Sequence, residues 1–332
     1  MRNLFISVVA SVVVAWLTCN PAAASEDESS VTDHLHLGGY ASVDAQTHKG
    51  DHATARLHEL SLFLVWDAGG RLRLFSEIEL EKPLIWEEGG SINSKDAYLD
   101  IERLYVDYDV TGALTARGGR FLTPIGRWNV VHAAPLVWTT NRPAATERLF
   151  PMGINGAMAY GTLPTGEGSF DYALFGEMVR DQTNENNEPY FKNTRGLRLA
   201  YNGIAEVGVT LTEFEEDTIN HPRYRMVGLD FSKSVDGWEF SGEAYRRFKR
   251  NGSEDKSGGG YLQAVAPLGN RWYAVARVEN LRLPETGNDG RWLVGAAWRW
   301  RTNQIFKLEY AGGRDSNPYM PRGVAASWAI LF

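Results

Sequence analysis

Apolar and polar residues alternate along most of the chain. In the segment 54–66, for example, Leu60, Leu62, Leu64 and Trp66 are separated by other positions that include Ser61. A β-strand turns successive side chains to opposite faces, whereas a helix would distribute these leucines around its axis. The pattern therefore predicts an all-β fold.

Sixteen segments share this alternation, and most exceed the ~9–11 residues that a tilted strand needs to cross a bilayer. They are 34–46, 54–66, 71–82, 97–109, 113–122, 154–163, 168–179, 194–202, 205–216, 223–233, 237–249, 258–266, 271–283, 291–300, 304–313 and 322–332. An even number is expected of a bacterial membrane barrel whose two ends lie on one side.

The connections between these segments alternate in length. Those after even-numbered segments are tight, as at 110–112, 202–204 and 301–303. Those after odd-numbered segments are mostly longer, notably 83–96, 123–153 and 180–192. Outer-membrane barrels have short periplasmic turns and longer outer loops. We therefore predict a transmembrane, antiparallel up-and-down β-barrel of sixteen strands whose short turns face the periplasm.

Aromatic residues support this prediction at the strand ends. The final segment is apolar to its last residue, with Trp328 and Phe332 on one face, and we expect that face to meet lipid while the strand pairs with 34–46. Four tryptophans lie near predicted short turns, where amphipathic rings favour the membrane interface. The predicted membrane girdle comprises Trp66, Trp238, Trp272, Trp300 and Phe332.

The first 24 residues have the pattern of a secretory signal peptide. Arg2 precedes an apolar run from Leu4 to Leu17, and the small residues of "PAAA" follow. This run is shorter than the ~20 residues of a membrane-spanning helix. We predict a signal peptide at 1–24, a short polar segment at 25–33 and one barrel domain at 34–332. Cys19, the single cysteine, lies in the signal, and the residues before it fit a lipid-attachment site poorly.

Charge and motifs exclude several other classes. The formal net charge of −7 argues against a nucleic-acid partner. The seven histidines show no metal-ligand spacing beyond "HLH" at 34–36. Motifs for a catalytic nucleophile or a phosphate-binding loop are missing from the sequence. We therefore expect no enzyme activity, no cofactor and no metal.

The connection 123–153 is the strongest candidate for a functional segment. Unstructured loops of this length are usually functional, and its apolar residues would allow it to fold inward and narrow the pore: Trp128, Val131, Leu136, Val137, Trp138 and Leu149. The alternative is an outer loop packed over the rim. Its charged or titratable residues are the candidate constriction: Arg127, His132, Arg142, Glu147 and Arg148.

Further charged residues fall on the predicted lumen faces of strands. They are Arg73, Glu77, Glu79, Arg117, Arg120, Arg277 and Arg299. Charges on the lipid face cost ~2–4 kcal/mol at mid-membrane, so these side chains are expected inside the pore. Each arginine also has a simpler interpretation as a partner of Glu77, Glu79, Glu279 or Glu309 in the barrel wall.

The signal, the sixteen alternating segments and the terminal "WAILF" resemble a Gram-negative outer-membrane porin. The passage "GGRFLTPIGRWN" at 118–129 is similar to one found in the phosphate-selective porin O/P family. The resemblance implies a homotrimer, selection of anions by basic residues at a narrow eyelet, and recognition of the terminal aromatic by the assembly machinery. The eight lysines depart from that pattern because they are scattered rather than clustered.

We therefore predict a porin exported through the periplasm to the outer membrane, in contact with lipid and with small polar or ionic solutes. A mild anion preference is expected because the loop carries three arginines against the single carboxylate of Glu147. The alternative is a scaffold barrel that sheathes or anchors a partner protein, such as an electron-transfer cytochrome. An outer-membrane hydrolase is a third, weaker alternative.

Overall fold

In the computed structural model, the described residues are 34–48, 52–180, 191–217, 221–250, 257–313 and 317–332. The predicted signal peptide 1–24, the segment 25–33 and most of the connection 180–192 lie outside them. The chain divides into two units, residues 1–34 and residues 35–332, and the second unit is the barrel.

Sixteen antiparallel strands within the described residues form one closed barrel, in which each strand pairs with its neighbours in the sequence and β1 pairs with β16. This confirms the predicted fold class. The strands are β1 (Leu35–His48), β2 (Ala53–Asp67), β3 (Leu72–Glu87), β4 (Tyr98–Thr111), β5 (Leu114–Leu122), β6 (Gly153–Thr165), β7 (Gly168–Val179), β8 (Phe191–Asn202), β9 (Glu206–Glu216), β10 (Arg223–Val235), β11 (Trp238–Lys249), β12 (Gly258–Gly269), β13 (Trp272–Leu283), β14 (Gly287–Arg301), β15 (Gln304–Gly313) and β16 (Gly323–Leu331). No helix among the described residues is long and apolar enough to span a membrane.

The outward surface of the barrel is apolar and its interior is polar. Outward leucines stay half exposed, at 51% for Leu62, 53% for Leu229 and 58% for Leu308. Inward neighbours such as Ser61 and Glu309 are buried and hydrogen-bonded. This arrangement is the reverse of a water-soluble sheet, and it follows directly from the alternation in the sequence.

The ends of the chain close the barrel. The register of β1 and β16 runs from Tyr40 opposite Leu331 to His48 opposite Gly323. Beyond it, the amide of Phe332 donates to the Gly39 carbonyl at 2.8 Å, and the Gly39 amide donates to the Phe332 carbonyl at 2.9 Å. Closure therefore removes the open edges that a sheet of these sixteen described strands would otherwise present.

Some strands extend beyond their predicted bounds. β3 continues to Glu87 rather than ending at 82, and β14 begins at Gly287 rather than at 291. The added part of β14, "GNDG", pairs its backbone with β13 although its side chains are polar. Backbone pairing does not require apolar side chains. The alternation of apolar and polar residues therefore predicts only the part of each strand whose outward side chains are apolar.

Candidate functional site

The connection 123–153 folds into the barrel. It contains a short 3₁₀ helix (Trp128–Val130) and a five-residue helix α1 (Ala144–Arg148). Ile125, Leu149 and Phe150 are fully buried in a cluster with Tyr245 and Leu281 of the wall. The predicted inward fold is therefore confirmed, and the alternative over the rim is wrong.

The apolar contacts of this loop differ in part from the prediction. Trp128 and Leu149 are buried as expected, whereas Val131 and Leu136 are exposed. Ile125 and Phe150 belong to the docked face instead. The irregular backbone of the loop determines which of its side chains contact the wall. These contacts follow no simple periodicity, so they could not be predicted from the sequence pattern.

Carboxylates on the barrel wall hold the loop through its backbone amides. Glu243 accepts hydrogen bonds from the amides of Arg127 at 3.0 Å and Trp128 at 2.6 Å. Glu279 accepts in the same way from the Ala144 amide, and Glu309 from the amides of Thr140 and Asn141, all at 2.9 Å. Glu239 accepts instead from a side chain of the loop, the Trp138 indole, at 2.6 Å. These carboxylates satisfy N–H groups that the loop itself leaves unpaired.

Basic side chains of the wall bind the carbonyls of the same loop. The Lys307 ammonium donates to the Ala134 carbonyl at 2.8 Å and to the Thr139 carbonyl at 3.2 Å. Arg277 donates to the Asn141 carbonyl at 2.8 Å. The loop is thus fixed along β11, β13 and β15, which leaves open space beside β1–β4.

That open space is a cavity of about 980 Å³. Among the described residues that line it, seven are lysines or arginines, and six are carboxylates. Four carboxylates come from β2–β4: Glu59, Glu79, Glu81 and Glu102. Four of the basic residues come from the loop and from the strands beyond it: Arg142, Arg148, Arg291 and Lys307. The cavity therefore has an acidic side and a basic side.

Two β-bulges add charged groups to the acidic side. The pairing of β1 with β2 skips His58 between Leu57 and Glu59, and the pairing of β3 with β4 skips Glu102 between Ile101 and Arg103. A bulge lets two successive residues face the same way, so His58 and Glu59 both line the cavity. Glu102 was absent from the predicted site. The polar doublets "HE" and "ER", which interrupt the alternation, are the sequence signal that could have identified both bulges.

Three of these carboxylates converge. The oxygens of Glu59, Glu79 and Glu81 lie within 4.8 Å of one another. Glu59 accepts a hydrogen bond from Ser42 at 2.9 Å, and Glu79 accepts one from Tyr40 at 2.5 Å. Acidic groups alone do not establish a metal site, and the group serves here to concentrate negative charge on one side of the cavity.

Five of the predicted site residues are brought together at the cavity: Glu79, His132, Arg142, Glu147 and Arg148. Arg142 donates to the Asn129 side chain at 2.8 Å, and the Arg148 guanidinium lies 3.8 Å from the centre of the Tyr319 ring. These contacts fix the direction of both guanidinium groups beside the open space.

The groups around His132 determine its pKa. Its Nδ1 lies 2.9 Å from the Asn129 carbonyl, which only accepts, so Nδ1 carries the proton. Its Nε2 is 3.7 Å from Glu102. Burial, followed by the positive charge of Arg142, lowers the pKa of His132 from 6.5 to about 3. The imidazole is therefore neutral near pH 7.

The other predicted residues lie elsewhere in the barrel. Arg127 is outside the cavity lining and contacts Glu206 at 3.2 Å. The remainder form contacts within the wall or with the loop: Arg73 with Asp109 at 2.9 Å, Glu77 with Ser61 at 2.7 Å and with Arg103, Arg117 with Asp107 at 2.7 Å, Arg120 with Asp100 at 3.7 Å, Arg277 with Glu279 at 3.3 Å, and Arg299 with the Trp138 ring at 4.4 Å. Of these arginines, Arg277 has a partner that the sequence suggested.

Aromatic side chains lie on the outward surface beside the short connections. Trp66 is the second-last residue of β2. At the same end of the barrel, four further aromatic residues are half exposed: Trp238, Trp272, Trp300 and Phe332. A row of ring contacts joins four neighbouring strands there: Trp272 to Trp298 at 5.5 Å, Trp298 to Phe306 at 5.7 Å, and Phe306 to Trp328 at 6.0 Å.

Comparison of the sequence with known proteins identifies little. No protein-family model matches the chain. An uncharacterised protein of Aquifex aeolicus (strain VF5) is 29% identical over 131 residues, which are 38% of this chain and 29% of that protein. The chain thus matches less than a third of this relative's length.

Comparison of the structure is more informative. An anion-selective porin from Comamonas acidovorans has a TM-score of 0.63 at 14% identity, with 90% of this chain and 98% of that chain covered. OmpF of Salmonella typhi, in complex with daunomycin, has a TM-score of 0.63 at 12% identity, with 90% of this chain and 97% of that chain covered. The outer-membrane channel DcaP of Acinetobacter baumannii has a TM-score of 0.58 at 12% identity, again with 90% of this chain and 97% of that chain covered. The chain therefore shares its fold with outer-membrane channel proteins.

Proposed function

We propose that the protein is an outer-membrane porin through which small polar or ionic solutes diffuse passively. The observation that carries this proposal is the charged cavity of about 980 Å³ left between the inward loop and the acidic side of the wall. Charged side chains at a constriction determine which ions enter a channel. A cavity of this volume suits a small solute.

In this proposal the outward face of the barrel contacts lipid, and the aromatic residues beside the short turns form its periplasmic girdle. The short turns then face the periplasm after removal of the signal peptide. A homotrimer, and a relation to the phosphate-selective porin O/P family, are the further hypotheses that the resemblance supports. The scaffold alternative has less support because the loop already occupies much of the space that a sheathed partner would need.

We further propose a mild preference for anions. Arg142 and Arg148 present fixed positive charge to the cavity, and basic residues exceed carboxylates by one among the described lining residues. At a narrow constriction such charges are screened weakly, unlike those on the exposed outer loops. The acidic side limits the size of this preference.

Electrical recording of the purified protein in planar lipid bilayers tests both the proposed porin function and the proposed anion preference. We expect stable single-channel currents and, in a salt gradient, a reversal potential that reports mild anion selectivity. Arg142→Ala and Arg148→Ala should each shift the reversal potential towards cations. Arg127→Ala is the matched control and should leave it unchanged, because Arg127 lies outside the cavity lining. Failure to conduct would refute the porin, and a cation-selective wild type would refute the anion preference.

A further inference from the structure

Arginines gather on the outward surface of the barrel, at the end where the long connections lie. Arg195 of β8, Arg223 and Arg225 of β10, Arg246 of β11 and Arg250 just after β11 form this group, called here the arginine cluster. The charged residues of the cavity belong to the inner surface, so the proposed channel makes no use of these five.

The strand register shows that the cluster faces outward. Arg225 and Arg195 both pair with Glu213, two residues from the exposed Leu211. Arg246 pairs with Val227, which is also an exposed outward residue. The cluster therefore borders the apolar surface of the barrel directly.

This position marks a membrane boundary. An arginine that faces lipid is strongly unfavourable at the bilayer midplane, whereas near the interface its cost is small. Five arginines are consistent with the headgroup region and not with the hydrocarbon region. The corresponding ends of β15 and β16 present the uncharged pair Tyr310 and Val324 instead.

The carboxylates within the cluster do not balance its charge. Glu213 lies 2.9 Å from Arg250, 3.4 Å from Arg195 and 3.9 Å from Arg225. Glu215 contacts Arg223. These four guanidinium groups and two carboxylates leave an excess of two positive charges among the described residues.

The guanidinium groups also stay accessible. The side chains are exposed by 68% for Arg195, 63% for Arg225, 53% for Arg223 and 46% for Arg250. Their planar donors match the oxygens of a phosphate group in a bidentate geometry. Phe248, which pairs with Arg225, adds an exposed ring among them.

We propose that the arginine cluster binds the phosphate groups of a phosphorylated lipid in the membrane leaflet beside the long connections. The phosphates balance the excess positive charge, while the acyl chains lie against Leu211 and Leu229 below. The inference rests on the proposed location in an outer membrane, which places these residues at the headgroups of the outer leaflet.

Native mass spectrometry of the barrel in neutral detergent tests the proposal, with diphosphoryl lipid A as the probe and monophosphoryl lipid A for comparison. We expect the wild type to prefer the diphosphoryl form, with binding that weakens as salt is raised. The double variant Arg195→Gln, Arg225→Gln should bind it about tenfold or more weakly, because it loses two guanidinium groups that donate charge-assisted hydrogen bonds to phosphate.

Lys233→Gln is the matched control. Lys233 is an outward, exposed cation at the other end of β10, so its loss should leave lipid A binding unchanged. If the double variant fails to fold, the single variant Arg246→Gln takes its place, with a smaller loss of binding expected. Folding is checked by the heat-dependent shift in gel mobility.

Three outcomes would overturn the inference. Equal binding by wild type and variant, with lower thermal stability of the variant, would show that the arginines only stabilise the strand ends. Displacement of the lipid by millimolar inorganic phosphate would identify free phosphate as the ligand. An equal loss of binding in Lys233→Gln would indicate non-specific attraction. A barrel that binds lipid A but does not conduct would refute the proposed porin and leave the lipid site standing.

Discussion

Glu309 shows how one wall side chain positions a distant segment. Its carboxylate accepts hydrogen bonds from the backbone amide of Thr140, 169 residues away in the sequence, and from the backbone and side-chain amides of Asn141, 168 residues away. A buried donor left without a partner costs about 1–3 kcal/mol. The path of the loop therefore depends on a few wall carboxylates, of which Glu243 and Glu309 each accept more than one hydrogen bond from the loop.

At the residue scale, Glu309→Ala should loosen the loop. Because at least two amides lose their acceptor, the free energy of unfolding should fall by about 2–4 kcal/mol, and open-channel current noise should rise. Urea unfolding in lipid vesicles and single-channel recording measure these effects. Asp109→Asn is the control, since Asp109 pairs with Arg73 on the wall. If Glu309→Ala has the same open-channel current noise and the same free energy of unfolding as the wild type, this carboxylate does not hold the loop.

His132 gives a pH prediction at the same scale. In the unfolded chain it takes up a proton near pH 6.5, but in the folded protein it does so only near pH 3. A group whose folded pKa is lowered in this way makes the native state less stable as pH falls from 6.5 towards 3, by up to about 1.4 kcal/mol per pH unit.

His132→Gln removes that titration. Between pH 7 and pH 4.5 the variant should therefore lose less stability than the wild type, as measured by urea unfolding at both pH values. Its reversal potential should follow that of the wild type between pH 5 and 8, because the imidazole stays neutral in both conditions. A parallel loss of stability in the two proteins would indicate that His132 titrates normally.

At the element scale, the closure of the barrel by β16 depends on Phe332, the residue that follows this strand. The backbone of Phe332 forms two hydrogen bonds with Gly39, and a Cβ added at Gly39 would lie 2.9 Å from the Phe332 ring. Glycine at this position thus permits the ring to cover β1. The closing pair of strands is joined by the aromatic residue as well as by the ladder.

Deletion of Phe332 should lower the folded fraction of the barrel while leaving the conductance of folded molecules unchanged. Phe332→Ala keeps the backbone bonds and should have a smaller effect in the same direction. The folded fraction is read from heat-dependent gel mobility, with Ile330→Ala, an outward neighbour on β16, as the control. Normal assembly of Phe332→Ala with an altered conductance would contradict the outward position of the ring.

At the scale of the whole molecule, the proposed orientation is open to a labelling test. The single cysteine, Cys19, lies in the predicted signal peptide, so labelling of the barrel would occur only at an introduced cysteine. In intact cells, a membrane-impermeant maleimide should label Ser91→Cys in the connection between β3 and β4. Thr302→Cys in the short turn between β14 and β15 should react only after lysis. Reaction of Thr302→Cys in intact cells would reverse the orientation.

The sequence determined the strands and their order. An outward surface in contact with lipid must be apolar at every second residue, and this local requirement is readable in segments such as 304–313. Tight turns force consecutive strands to pair, and an apolar terminal strand implies a partner at the start of the chain. The number of strands, the antiparallel order and the closure by β1 and β16 were therefore predictable.

The tertiary structure decided which charges meet inside. The bulges at His58 and Glu102 change the direction of side chains that simple alternation would place differently. The loop path brings Arg142 and Arg148 to the cavity and leaves Arg127 beside Glu206. Such contacts join residues far apart in the sequence, 79 positions for Arg127 and Glu206 and 115 positions for Trp128 and Glu243. They arise from register and docking, whereas periodicity records only which face of a strand each residue occupies.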